Sequence, residues 1–257
     1  MTAPVATRTA SWYPSEGLLQ RGTVVLLPGR GEHPGVYERL GRRLSADAYV
    51  VHVLELDEAS DTERTASDIA QVAQGAAAPL VLAGSDTGAL RALAVAAHPS
   101  AAPDALLLVG APSTDDAPSI GEAPSTGDWE QQLTARTACP THRGRLAADP
   151  LFDRTALDAP VAPELASAAE AAVPQLAALP VLLVHGEADP VSPVATARKL
   201  AARLPEAALA TVADGRHDSL NDISHRSVAA TVVLWLERLR AGSHRSAVVT
   251  LQSPSGN

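Results

Sequence analysis

An α/β fold with a mostly parallel sheet follows from three observations. Short apolar runs rich in Val and Leu recur along the chain, at Thr23–Leu27, Val50–Leu54, Leu80–Ala83, Ala105–Val109 and Val181–His185. They are apolar throughout rather than alternating, as strands covered on both faces are. Segments with helical spacing lie between them, so strand and helix alternate and the crossovers are right-handed. With 257 residues, 46% hydrophobic and 19% charged, the chain can bury one large core.

The elements follow in order. The first twenty residues are expected to add one or two antiparallel edge strands. Val36, Leu40 and Leu44 fall on successive helical turns, as do Ile69 and Val72, and Leu90, Leu93 and Val95. Ala195–Leu204 and Val228–Leu239 read as two more helices, with a short last strand at Thr211–Ala213 between them. Residues 1–257 thus read as one domain. From Ala111 to Leu179 no strand-like run occurs, and eight prolines punctuate the stretch. It is expected to be a helical cap inserted between two central strands, with pieces at Trp129–Arg136, Arg143–Ala148 and Pro163–Leu176. Asp115–Asp128 reads as a loop, and 242–257 as a polar, flexible tail.

Composition narrows the partners. The net charge of −9 and the lack of a basic run argue against a nucleic-acid or anionic-membrane surface. No apolar stretch reaches spanning length, so the chain is expected to be soluble and cytoplasmic, without membrane insertion. Its one cysteine, Cys139, leaves no intrachain disulfide and no CxxC pair. No cofactor or metal is implied, and oligomeric state is not legible. The core has to be built on Ala, Leu and Val, because the chain holds only three Trp, three Tyr and one Phe.

The chemistry concentrates in three places. Leu80–Leu90 runs from a buried strand into a helix across Gly84-Ser85-Asp86-Thr87-Gly88. Glycines four residues apart in that context make the turn of a G-x-S-x-G nucleophile elbow, here with Asp86 at its centre. Asp189 follows the strand Val181–His185, and His217 lies on a loop before the final helix. The order nucleophile, acid, histidine is that of α/β-hydrolases. The loop Leu27–Tyr37 follows the first central strand, where backbone N–H groups make half of an oxyanion hole.

The sequence resembles α/β-hydrolases of the monoglyceride lipase and lysophospholipase type over nearly its whole length. Their first loop reads H-G-x-G-E-H-x-x-x-Y, and Pro28–Tyr37 matches it with Pro28 in place of the leading histidine. H-G-x-x-D within Val184–Asp189 and G-x-H at Gly215–His217 also fit. The resemblance implies the α/β-hydrolase fold, Asp189 as triad acid, His217 as base, and backbone N–H groups of Arg30 and Thr87 as the oxyanion hole. Where the family carries serine, this sequence carries Asp86.

An aspartate there changes the chemistry. It is ionised at neutral pH without a base and attacks an sp³ carbon that bears a halide or an epoxide oxygen. His217, oriented by Asp189, then activates water to hydrolyse the alkyl ester. Dehalogenases and epoxide hydrolases of this fold use that set, so the expectation is a hydrolase for a small, mostly apolar substrate. Gly29, Trp129 and His142 are expected to line that substrate, although dehalogenases place tryptophan where Thr87 stands, and epoxide hydrolases place tyrosines in the cap. Other readings stay open. Asp86 and His217 can serve a non-hydrolytic acid–base reaction (hydration, elimination or cyclisation), or the fold can bind ligand without turnover.

Each residue also has a simpler reading. Asp86 suits an N-cap of the helix that opens at Thr87. Asp189 before Pro190 suits a turn, and His217 a surface loop. Glu32 and His33 suggest a metal pair, but Glu32 better serves by accepting backbone hydrogen bonds, and Arg30 suits steering of an acidic substrate. Asp115 or Asp116 is a rival for the triad acid, and Ser85 a poor rival for the nucleophile. His52 reads as a satisfied core histidine.

Overall fold

The computed structural model describes residues 9–56, 61–113, 128–243 and 245–249. Among them a seven-stranded sheet runs in the order β1-β3-β2-β4-β5-β6-β7. The strands are β1 (Thr9–Trp12), β2 (Gly22–Leu27), β3 (Tyr49–Leu54), β4 (Leu80–Ser85), β5 (Ala105–Val109), β6 (Val181–Gly186) and β7 (Ala207–Val212). β1 pairs antiparallel with β3, and every other neighbour is parallel. A single antiparallel edge strand is therefore what the described N-terminal residues provide; residues 1–8 lie outside them.

Alternate strand residues face opposite layers. Val24, Leu26, Ala83 and Leu107 pack on one face with α1 (Glu38–Ala46) and α8 (His225–Arg240), centred on Leu40, Leu44, Val232 and Trp235. Val25, Leu27, Leu82 and Leu106 pack on the other with α2 (Thr62–Val72), α3 (Thr87–Ala96) and α7 (Val194–Arg203). β2 to β6 are buried on both faces, which is why they read as unbroken apolar runs. The last strand is longer than the Thr211–Ala213 expected and begins at Ala207. As a half-exposed edge its alanines carry little hydrophobic contrast or strand propensity, so its start was not legible.

Between β5 and β6 lie α4 (Trp129–Arg136), α5 (Pro140–Ala148), a 3₁₀ turn (Ala156–Asp158) and α6 (Pro163–Ala172), the last continued by a 3₁₀ turn over Val173–Leu176. The single helix expected at Pro163–Leu176 divides there because Pro174 donates no hydrogen bond to it. Ala166, Ala169 and Ala172 of α6 are buried, and α6 packs on α3, whose Ala89 and Ala92 are also buried. Small side chains on both helices make that contact, as the aromatic-poor composition requires. α6 thus belongs to the layer that flanks the sheet. Residues 114–127 lie outside the described ones, and with them Asp115 and Asp116; the 242–257 tail is described only at 242–243 and 245–249. Among the described residues no helix is long and apolar enough to cross a membrane.

Strand order reverses between β2 and β4, and ligand sites of open α/β sheets form at the carboxyl ends of strands near such a point. The loops after β2, β4, β6 and β7 converge there.

Candidate active site

The turn after β4 is strained by design. Asp86 has φ +49° and ψ −125°, a region that a residue with a Cβ enters at a cost of about 1–3 kcal/mol. The glycines make the turn sterically possible. A Cβ on Gly84 would lie 2.1 Å from the carbonyl oxygen of Gly88, and one on Gly88 would lie 2.1 Å from that of Leu27. The Asp86 N–H donates to the Val109 carbonyl at 2.9 Å, which pins the turn to β5. Its side chain makes no cap hydrogen bond to α3, so helix capping does not account for the residue. Thr87 opens α3, and its N–H is one of those left without an acceptor inside the helix.

The loop after β2 closes over this turn. A Cβ on Gly29 would meet the Asp86 Cβ at 2.9 Å, so only glycine lets the two segments touch. The Gly29 N–H donates to Glu32 Oε2 at 3.0 Å, and the Tyr37 hydroxyl donates to the same carboxylate, which fixes the loop. Glu32 thus works as an acceptor within the loop. His33 pairs instead with Asp149, Nε2 to Oδ2 2.7 Å.

Arg30 engages Asp86 three ways. Its backbone N–H donates to Oδ2 at 3.0 Å, its Nε to Oδ2 at 2.8 Å, and its Nη2 to Oδ1 at 2.9 Å. Nη1 donates to the carbonyls of Leu157 at 3.2 Å and Ala159 at 2.7 Å. Asp86 is buried, and burial works against its ionisation. The Arg30 charge, the His217 contact and the Arg30 hydrogen bonds outweigh that and hold its carboxyl well below the usual carboxylate range.

Asp189 and His217 come from two neighbouring strand ends. The Asp189 Oδ1 accepts the N–H groups of Val191 at 2.8 Å and Ser192 at 3.0 Å, and its Oδ2 accepts His217 Nδ1–H at 2.9 Å. Gly186 permits this approach: a Cβ there would lie 2.2 Å from the Gly215 carbonyl oxygen. The His217 N–H donates to the carbonyl of Ala135 at 3.3 Å, and Asp218 N–H to that of Arg136 at 2.8 Å, so the end of α4 holds the loop. His217 Nε2 faces Asp86 Oδ1 at 3.5 Å, longer than a hydrogen bond, and is buried with no hydrogen-bond partner among the described residues. Burial opposes charge on this ring, but Asp189 and then Asp86 push its pKa up to about 10.

The sequence profile of the family described as serine aminopeptidase, S33 (Hydrolase_4) matches residues 52–224, well over half of the chain, from within β3 to beyond the loop that holds His217. The chain belongs to this family. Its fold is the α/β-hydrolase fold. Solved structures of similar shape include the monoacylglycerol lipase of Paleococcus ferrophilus, with TM-score 0.70 at 19% identity, covering 90% of this chain and 98% of that one. A monoglyceride lipase from Saccharomyces cerevisiae, solved with a substrate analogue, gives TM-score 0.68 at 17% identity over 90% and 91% of the two chains. A thermophilic esterase from Thermogutta terrifontis gives 0.64 at 19% over 91% and 94%. No curated protein matches the sequence.

Within this S33-family chain the structure brings Asp86, His217, Asp189, Arg30 and Gly29 together. It gives Trp129 and His142 other partners. Trp129 stacks near Phe152, ring centroids 5.8 Å apart, with the Arg154 guanidinium 4.9 Å above it. His142 Nε2 lies 3.3 Å from Asp218. His52 meets the hydroxyl of Ser11 at 2.8 Å, a satisfied histidine beside β1.

Two residues that sequence reasoning passed over shape the site. One is the Arg30 side chain in its contact with Asp86, since only its backbone N–H and a steering role were anticipated. The other is Arg136, fully buried at the end of α4. Its Nη2 donates to the Arg30 carbonyl at 3.0 Å, and its Nη1 lies 3.9 Å from Glu32 and 3.7 Å from Asp218. An arginine at the end of an amphipathic helix carries no sequence signal that it points inward.

Proposed function

We propose that this chain is a hydrolase that acts by substitution at carbon, with Asp86 as nucleophile and His217–Asp189 as the water-activating pair. One observation carries the reading. The buried His217 Nε2 has no hydrogen-bond partner among the described residues and lies 3.5 Å from the Asp86 carboxylate, while its Nδ1 is fixed on Asp189. That is the placement needed to take a proton from a water attacking an ester at Asp86.

In the first step an Asp86 oxygen bonds to an sp³ carbon, and the leaving group, a halide or an epoxide oxygen, departs with the bonding pair. An epoxide oxygen takes a proton from the His217 imidazolium, since the residues 111–179 hold no tyrosine to supply one. After halide departure that proton goes to solvent. Loss of the Asp86 charge removes one of the two anions that hold His217 protonated, so alkylation itself favours the neutral, basic ring. His217 then takes a proton from water, hydroxide attacks the Asp86 carbonyl carbon, and the Arg30 and Thr87 N–H groups face the oxyanion. Collapse releases the alcohol and restores the carboxylate. Against a carboxylic ester the same attack gives an anhydride from a weak nucleophile, which disfavours lipase turnover despite the family. Within the insertion 111–179, the described stretch before α6 serves as the cap, with the carbonyls of Leu157 and Ala159 over Arg30, while Gly29 and the elbow form the floor.

The test is turnover in H₂¹⁸O with haloalkane and epoxide panels, followed by mass analysis of the peptide that contains Asp86. Label in Asp86 is expected. Turnover with unlabelled protein overturns the covalent route and leaves acid–base chemistry.

A further inference from the structure

We infer that Arg30 is the receptor for a carboxylate on the substrate, so that the site takes small carboxylic acids whose reactive carbon is α or β to that carboxylate. The inference rests on the reading of Asp86 as nucleophile and names the class of molecule that nucleophile meets.

The argument starts from what Arg30 does to Asp86. Nε and Nη2 present the planar edge of the guanidinium to both carboxylate oxygens, at 2.8 and 2.9 Å, and the Arg30 backbone N–H adds a third donor. A carboxylate so engaged is a weakened nucleophile: two donors occupy Oδ2 and one occupies Oδ1, which keeps a lone pair for attack. Attack by Oδ1 turns it into an ester oxygen and weakens its bond to Arg30 Nη2. The ester that follows carries no charge at all, and Arg30 would be left facing it.

That outcome is costly for this residue. The Arg30 side chain keeps only 15% exposure and the Asp86 side chain 3%. A cation buried to this extent and stripped of its counter-ion is strongly disfavoured. A neutral apolar substrate offers it nothing in exchange. A substrate carboxylate does, since it matches the same two-point fork and leaves Arg30 paired once Asp86 has become a neutral ester. Nη1 stays on the carbonyls of Leu157 and Ala159 throughout, so the guanidinium need only pivot. Its residual exposure lets an incoming anion touch it before Asp86 lets go. Because the fork lies in direct contact with the attacking oxygens, the carboxylate it captures sits within a bond or two of the carbon attacked.

The exchange makes a binding prediction that needs no turnover. Propionate and the isosteric, neutral propionamide are titrated by calorimetry into the wild-type chain, Asp86→Asn and Arg30→Gln. Propionate is expected to bind the wild-type chain at least about tenfold more tightly than propionamide. Asp86→Asn frees Arg30 from its internal partner and is expected to raise propionate affinity by a further factor of about ten or more. Arg30→Gln is expected to erase the preference. Equal binding of the two probes by the wild-type chain, or a preference that survives Arg30→Gln, overturns the inference. If thermal melts show Asp86→Asn unfolded, the wild-type and Arg30→Gln titrations decide alone. The two proposals fail separately. Carboxylate selectivity with no ¹⁸O in Asp86 removes the nucleophile and keeps the receptor; ¹⁸O in Asp86 from neutral substrates without selectivity does the reverse.

Discussion

The guanidinium of Arg30 and the carboxylate of Asp86 meet edge to edge, with the backbone N–H of the same arginine on the same carboxylate. The residue at the turn after β4 therefore rests in a buried ion pair with the loop after β2. Several consequences are open to measurement.

Removing the carboxylate charge at the elbow is expected to stop the reaction. Asp86→Asn should give no steady-state turnover, and His217→Gln, which keeps the nucleophile but not the base, should accumulate an alkylated Asp86. Intact-protein mass spectrometry after exposure to substrate reads the adduct. A His217→Gln protein that turns over without an adduct contradicts the two-step route.

Asp189 orients and charges His217, so its loss should cost rate more than stability. Asp189→Asn keeps the shape but gives up the anion that most raises the His217 pKa, and a drop on the order of 10⁴-fold in kcat is expected. A His217 titration followed by NMR should shift downward in the same variant. A fall in kcat with an unmoved titration would show that Asp189 acts by another means.

The folded chain binds the His217 proton more tightly than the unfolded chain, with a pKa of about 10 against an ordinary 6.5. Its contribution to stability is thus complete below about pH 6.5 and is lost as pH rises through 10. Thermal midpoints taken from pH 6 to pH 10 should fall in the wild-type chain and fall less in His217→Gln. Parallel curves would mean that His217 does not carry the dependence.

The elbow depends on its glycines for backbone room. Gly88→Ala would drive a methyl into the Leu27 carbonyl and is expected to destabilise by about 3 kcal/mol or more. Gly144→Ala, whose Cβ would meet nothing within 4 Å in α5, should be neutral or slightly stabilising. Urea unfolding of the two variants separates them, and equal midpoints would refute the steric account.

Arg136 is the buried cation behind the site. Arg136→Met removes its bond to the Arg30 carbonyl and leaves Glu32 and Asp218 facing one another without it, at an expected cost of about 3–5 kcal/mol. Denaturant titration measures the loss. A variant as stable as the wild type would mean that the pocket charges are balanced elsewhere.

The sequence by itself determined the α/β order, the strands β2 to β6 to within two residues at either end, the strand–turn–helix around Asp86, and the places of Asp189 and His217 after strand ends. Those features are local. Apolar runs, helical spacing and glycines at a tight turn are printed in consecutive residues, and the partners follow strand ends in a fixed order. Only the tertiary structure decided that the Arg30 side chain covers Asp86, that Arg136 turns inward behind it, that α6 joins the layer on α3, and that Trp129 packs with Phe152 while His142 meets Asp218. Each depends on where a long side chain points once distant segments have packed. Arg30 meets residues 56 and 129 positions away, and Arg136 one 106 away. An arginine reads the same in sequence whether its charge faces water or a carboxylate, since its aliphatic stem allows either. The partner is chosen by the burial that folding imposes, where an unpaired charge is too costly to leave alone.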